Sequence, residues 1–288
     1  MAGRIVVGVD GSAPATAAVE WAADDARRSG LTLRVVHVCE PWPHGVGEPR
    51  GDYCAGALEA AADLARGLAP DVEVTTAMLA GNVIEALIAE SASVGSVVLG
   101  SRGLGGFAGM VLGSVGMAVA GHAQGPVVIV RDPSAAGLGP EPVEHGQIAV
   151  GFDGSEHSEA AMEYALTQAR ARDARLRVVY AWQPPIFSPY AAGYGGVLED
   201  VFQQEVRAAR ERVAPWREKY PEVEITEQEV CEHPVSALIK AAAAVDLLVV
   251  GSRGLGGFAS AVLGSVSHAV LHHVTCPVAV VRPRGEAS

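Results

Sequence analysis

The run IVVGVDGS (residues 5–12) returns as IAVGFDGS (residues 148–155), and VVLGSRGLGGFA (97–108) returns as LVVGSRGLGGFA (248–259). The chain is therefore one unit written twice. The first pair is offset by 143 positions and the second by 151, so the second copy carries eight extra residues, net, in one connection. That insertion falls near residues 184–196, PPIFSPYAAGYGG, whose Pro, Gly and Tyr punctuate the pattern and read as a surface loop or lid. Residues 132–145 are rich in Pro, Gly and Ala and lack periodicity, as an interdomain linker should. The expected division is a first domain over 1–132, a linker over 133–145 and a second domain over 146–288.

Within the first copy, β-branched runs at 5–10, 31–38, 72–78, 97–100 and 127–131 alternate with segments at 13–29, 55–68, 82–93 and 113–121 whose apolar residues recur at three and four. Five strands with intervening helices predict an α/β fold, a doubly wound, Rossmann-like parallel sheet of order 3-2-1-4-5 in each of two tandem domains. In that order the fifth strand lies at a sheet edge, and an apolar edge left bare invites pairing. The two copies are expected to cover each other's edge within the chain, leaving any homodimer to a separate surface.

Of the 288 residues, 49% are hydrophobic and 19% charged, a balance that suits compact domains and excludes disorder outside linker and tails. A net charge of −12 with only two lysines, Lys219 and Lys240, argues against nucleic acid as a partner. Cys39, Cys54, Cys231 and Cys276 are scattered without a CxxC spacing, and read as small buried residues in a reducing compartment. The N-terminal MAGRIVVGVD enters a strand pattern without the marks of a signal peptide, so a cytoplasmic location is expected. Residues 103–121 are uncharged, but their glycines are too dense for a lone helix; a loop and a buried helix are expected there, with no membrane insertion.

In a doubly wound sheet, ligands bind beyond the carboxyl ends of the strands where the winding reverses, here between strands one and four. Strand one runs through Gly8 to Asp10, or Gly151 to Asp153. Strand four ends in Gly100-Ser101-Arg102-Gly103, or Gly251-Ser252-Arg253-Gly254. After nine intervening residues come Gly113-Ser114-Val115 and Gly264-Ser265-Val266, each opening a helix. Glycines admit a ligand close to the backbone, and a helix N-terminus offers unpaired amides and partial positive charge to phosphate. Recurrence of the whole GxxGx(9)GS string after the same strand weighs against a turn made for steric reasons alone.

On these strings both copies resemble universal stress protein domains, over nearly the whole chain, and specifically the tandem, ATP-binding form of that family. The resemblance implies ATP, or another adenine nucleotide, as ligand, with Mg accompanying it and an unidentified regulatory protein as partner. It implies that Asp10 and Asp153 lie at the nucleoside and that Val38 touches adenine, with Ala181 its counterpart. The loop glycines with Ser114, Val115, Ser265 and Val266 would hold ribose and phosphates. Three departures suggest two unequal sites: Ala181 for Val38, Gly95 where the second copy has Asp246, and Gly116 where Ser267 could add a phosphate donor.

Other features have plainer readings. His268, His272, His273 and Cys276 have metal-like spacing, but histidines at a helix C-terminus complement its dipole without any metal. Arg102 and Arg253 either reach phosphate or cover the loop in solvent. Asp10 and Asp153 are alternatively turn acids capping the next helix, and Trp21 and Tyr164 read as core. With no G-x-x-x-x-G-K-[ST] string, no SGGxDS loop and no general base present in both copies, a nucleotide-dependent regulatory or stress-response module is favoured. The alternative is an enzyme that slowly hydrolyses ATP or transfers from the nucleotide; a flavin carrier is a weaker third reading.

Overall fold

A computed structural model of the chain describes residues 3–40, 49–104, 112–132, 144–183, 195–255 and 262–283. The first copy runs β1 (Arg4–Gly8), α1 (Ala13–Ser29), β2 (Thr32–Cys39), α2 (Pro49–Leu68), β3 (Val74–Ala80), α3 (Val83–Ser91), β4 (Ser96–Gly100), α4 (Ser114–His122) and β5 (Val127–Val130). The second repeats it as β6 (Gln147–Gly151), α5 (Glu156–Arg172), β7 (Arg175–Ala181), α6 (Gly195–Lys219), β8 (Ile225–Val230), α7 (Pro234–Ala242), β9 (Leu247–Gly251), α8 (Ser265–His273) and β10 (Val278–Val281). The insertion is not all loop, since α6 has 25 residues against 20 in α2; residues 184–194 lie outside the described set. So do 133–143 of the expected linker.

Each copy has the parallel order 3-2-1-4-5, and the two join into one ten-stranded sheet, β3-β2-β1-β4-β5-β10-β9-β6-β7-β8. Its strands are apolar on both faces because both faces are covered. Ile5 and Val7 join the layer under α1, α2, α5 and α6, while Val6 joins the layer under α3, α4, α7 and α8. The strands end earlier than their apolar runs: β1 stops at Gly8, leaving Asp10 in the turn to α1. Ser12 caps α1 by accepting from the Ala15 amide, and Ser155 caps α5 by accepting from Ser158. Among the described residues no helix is long and apolar enough to cross a membrane.

Among the described residues the central seam is the only antiparallel pairing in the sheet, with Ile129 opposite Val278, Val128 opposite Ala279 and Val127 opposite Val280. Two equivalent arginines brace it. The Arg131 guanidinium donates to the Leu271 carbonyl at the end of α8, and that of Arg282 to the Gly121 carbonyl at the end of α4 and to Val262. Each cation thus sits at the negative end of the other copy's helix. The far edges are protected differently: on β8, Glu227 and Glu229 pair with Arg217 and Arg210, so charge discourages another strand from adding there.

A second contact joins α1 to α5. Asp25, 1% exposed, meets Arg172 at 2.9 Å and accepts from the Gln168 amide at 3.3 Å. Arg172 also hydrogen-bonds the Gln168 side-chain oxygen and lies over the Trp21 ring, 5.0 Å from its centroid. Gln168 stands 143 positions after Asp25, at the equivalent place in the repeat. Two identical copies would bring Asp25 against a second buried aspartate, so the Gln168 amide and the added Arg172 suit this pairing to unlike halves. Trp21 and Tyr164 pack against the core beside this contact.

Candidate functional site

Strand β1 hydrogen-bonds β2 on one side and β4 on the other, so the chain departs in opposite directions from their carboxyl ends. In the first copy that reversal opens a cleft of about 520 Å³. Its walls bring together Gly8, Asp10, Val38, Gly100, Arg102, Gly103, Gly113, Ser114 and Val115, all expected from the sequence. They also include Glu40, Asn82, Val83, Ile84, Leu99 and Gly116, of which none but Gly116 drew notice as a candidate. Asn82 caps α3, accepting from the amides of Ile84 and Glu85. A signal for it existed: in a parallel sheet the loops after every strand gather at one edge, so the loop after β3 belongs to the site as much as those after β1 and β4.

The floor of the cleft is a helix start. Gly113, the N-cap of α4, provides no side-chain hydrogen bond, and the first intrahelical bond runs from Met117 to Gly113. The amides of Ser114, Val115 and Gly116 in that first turn therefore have no helical acceptor. The loop is closed at its neck, where the Gly113 amide donates to the Ser101 carbonyl at 2.7 Å; Gly264 and Ser252 repeat this at 2.8 Å. Loop residues 105–111 and 256–261 lie outside the described set.

Asp10 holds the loop to the first strand. Its Oδ1 accepts from the Ser12 amide at 3.0 Å and its Oδ2 from the Leu104 amide at 2.9 Å. Asp153 does the same with Ser155 and Leu255, both at 3.0 Å. Burial works against the Asp153 carboxylate, but the hydrogen bonds from Ser155 and the Leu255 amide outweigh it and hold its pKa below the usual carboxylate range. The helix caps are the neighbouring serines, so these acids tie turn to loop.

The same contact explains Gly103 and Gly254. A Cβ on Gly103 would stand 2.4 Å from Asp10 Oδ2, and one on Gly254 would stand 2.5 Å from Asp153 Oδ2. The close approach these glycines permit in the structure is that of a carboxylate. Ser101 and Ser252, at 4% and 1% exposure, are turned into the protein, and the Ser252 hydroxyl meets His157 Nδ1 at 3.0 Å. Ser267 spends its hydroxyl on the carbonyls of Ser252 and Gly264, so it braces the loop. Asp246 accepts from the amides of His145 and Gln147 at the amino end of the sheet, opposite the cleft.

The frame of the second copy is the same: Gly151 ends β6, Gly251 ends β9, and Gly264 opens α8 without a side-chain cap bond. Ala181, Val230 and Val266 are partly buried against one core layer. Arg253 is half-buried. The profile of the Universal stress protein family matches residues 1–131 and 145–282. The chain belongs to the universal stress protein family.

Curated relatives agree along the whole length. A universal stress protein of Mycobacterium tuberculosis is 34% identical over 291 residues, covering 96% of both chains. One from Mycolicibacterium smegmatis is 35% identical over 300 residues, covering 97% of both. In structure, a universal stress protein from Archaeoglobus fulgidus aligns over 99% of this chain and 100% of its own, at a TM-score of 0.68 and 20% identity. At that identity the likeness speaks for the fold.

The expected burial of the cysteines changes in this universal stress protein. Cys54 is the one cysteine that is buried; Cys39 and Cys276 are half-buried and Cys231 is exposed. On α8, the His268 and His272 rings lie 4.8 Å apart between centroids. Burial, with His268, His273 and Arg131 nearby, lowers the His272 pKa. Among the described residues these histidines do not gather with a third ligand; His37, Cys39 and Cys54 do.

Proposed function

We propose that this universal stress protein binds ATP, one molecule in each copy, and works as a nucleotide-dependent regulatory module. The observation that carries the reading is the cleft between the ends of β1 and β4, where an apolar wall and a bare helix N-terminus face one space of about 520 Å³. Val38 and Val36 suit a flat apolar ring, and the amides of Ser114, Val115 and Gly116 suit phosphate oxygens. Arg102 is the cation in the lining. Among the described residues the carboxylates in the lining are Asp10 and Glu40, and Asp10 is already engaged by two amides. Magnesium is therefore better carried by the phosphates than by the chain. With no lysine in the lining, and with the carboxylate common to both copies, Asp10 and Asp153, already engaged by two amides in each, binding is favoured over turnover.

Calorimetric titration of nucleotide-free protein should give two ATP per chain, and one site or none would overturn the reading. Ala181 removes two methyl carbons relative to Val38, about 1.5 kcal/mol at ~0.8 kcal/mol per buried carbon, so the second site should be about tenfold weaker. Gly103→Val should abolish the first site and Gly254→Val the second, because each new Cβ displaces the carboxylate that ties the loop to its strand. Each variant should stay folded and keep one event. Two events in both variants would count against the loop assignment.

A further inference from the structure

His37 and Cys39 stand two residues apart on β2, so they share one face of the strand and Val36 and Val38 the other. The valines line the cleft. The face of His37 and Cys39 is the one covered by α1 and α2, and α2 places Cys54 over it. One ring nitrogen of His37 and the Sγ atoms of Cys39 and Cys54 all lie within 4.8 Å of one another. His37 is 6% exposed and Cys54 7%, while Cys39 is half-buried, so the group is enclosed but reachable from one side.

The histidine is already set for coordination. Its Nδ1 lies 2.8 Å from the Val9 carbonyl oxygen, which can only accept, so in the neutral tautomer Nδ1 carries the proton and Nε2 has the lone pair. A backbone carbonyl holding one ring nitrogen is the usual outer partner of a metal-bound imidazole. Nor does the fold require these residues. At the equivalent positions the second copy has Tyr180, Trp182 and Glu205, and the Tyr180 hydroxyl donates to Glu205 at 2.9 Å. There an ordinary hydrogen bond links strand to helix.

We propose that His37 Nε2 and the thiolates of Cys39 and Cys54 bind a thiophilic metal ion of the zinc class, with the fourth position left to water. Metal–sulfur bonds of about 2.3 Å and metal–nitrogen bonds of about 2.0 Å place tetrahedral ligand atoms roughly 3.5–3.8 Å apart, a spacing closer than the 4.8 Å within which one His37 ring nitrogen and the two Sγ atoms lie. Binding breaks two S–H bonds, forms two metal–sulfur bonds and releases two protons to solvent. The site lies across the sheet from the nucleotide cleft and does not depend on it.

The test is titration of the full-length, fully reduced and metal-free protein with cobalt(II) alone. One equivalent should develop thiolate-to-cobalt charge-transfer absorption and tetrahedral d–d bands, both erased by zinc(II), with two protons released. Cys54→Ser and Cys39→Ser should each lose most of the charge-transfer band. Cys231→Ser should keep it, and His37→Gln should weaken binding at least about tenfold. A reduced wild-type chain without the band overturns the proposal, as does a band indifferent to both serine variants. So does a chain in which zinc leaves the rate of Cys39–Cys54 disulfide formation unchanged, since the pair would then be a redox couple.

Discussion

Replacing Val128 and Ile129 together with lysine is expected to part the two copies at their seam. Both residues are buried, Val128 facing one core layer and Ile129 the other, so neither ammonium can reach water while β5 and β10 remain paired. An unpaired buried ion costs several kcal/mol, and two exceed about 5 kcal/mol, comparable to the whole stability of a small domain. The seam offers the cheapest escape, because opening it solvates both charges and sacrifices three residue pairs, the Arg131 and Arg282 braces and the α1–α5 contact, whereas unfolding also sacrifices the packing of helices on both faces of the sheet. Rapid proteolysis within residues 132–145 and a larger scattering radius at unchanged mass are the expected results. Protection equal to wild type in that segment would refute the seam as the principal joint.

Arg172→Met should cost about 3–5 kcal/mol at neutral pH, because it leaves the Asp25 carboxylate buried without its partner. Burial already holds Asp25 above the usual carboxylate range despite the opposing pull of Arg172. A carboxyl whose pKa is raised on folding holds its proton more tightly folded than unfolded. Its contribution to stability is present in full below the unfolded value of about 3.9 and is lost as pH rises through the folded value. Removing Arg172 raises the folded value further, so the deficit of the variant should be largest near neutrality and shrink on acidification. Adding Asp25→Asn should recover most of the loss, since a neutral amide can still bond Gln168. Denaturant titrations of wild type and both variants at several pH values measure this. A deficit that is flat with pH, or that asparagine does not relieve, would show that Asp25 is not the cause.

Much of the fold was legible because its signals are local or repeated. The eight-residue strand-and-turn run and the twelve-residue glycine string are read without knowing what they touch, and their recurrence supplies the comparison that a single copy lacks. Strand order followed from the handedness of crossovers, and the β5–β10 seam from the fact that an apolar edge must be covered. The position of the candidate cleft was legible for the same reason, since the reversal point is a property of topology. The boundaries were less so: Asp10 looks like the end of a strand, but Gly8 ends it, because the Asp10 carboxylate binds the amides of Ser12 and Leu104.

The sequence by itself determined that this protein is two copies of one α/β unit, which loop closes each candidate site, and which edges meet. Only the tertiary structure decided what each chosen residue faces. Gly103 lies against Asp10, Ser101 and Ser267 turn inward, Asp25 meets Gln168 and Arg172, and His37 and Cys39 gather with Cys54 on the side of β2 away from Val38. The physical reason is that strand and helix periods specify which face of its own element a residue occupies, whereas the partner across that face depends on how far one element slides and rotates over the next. Cysteines fifteen positions apart carry no spacing signal in the chain, and they become neighbours because α2 packs across the end of β2.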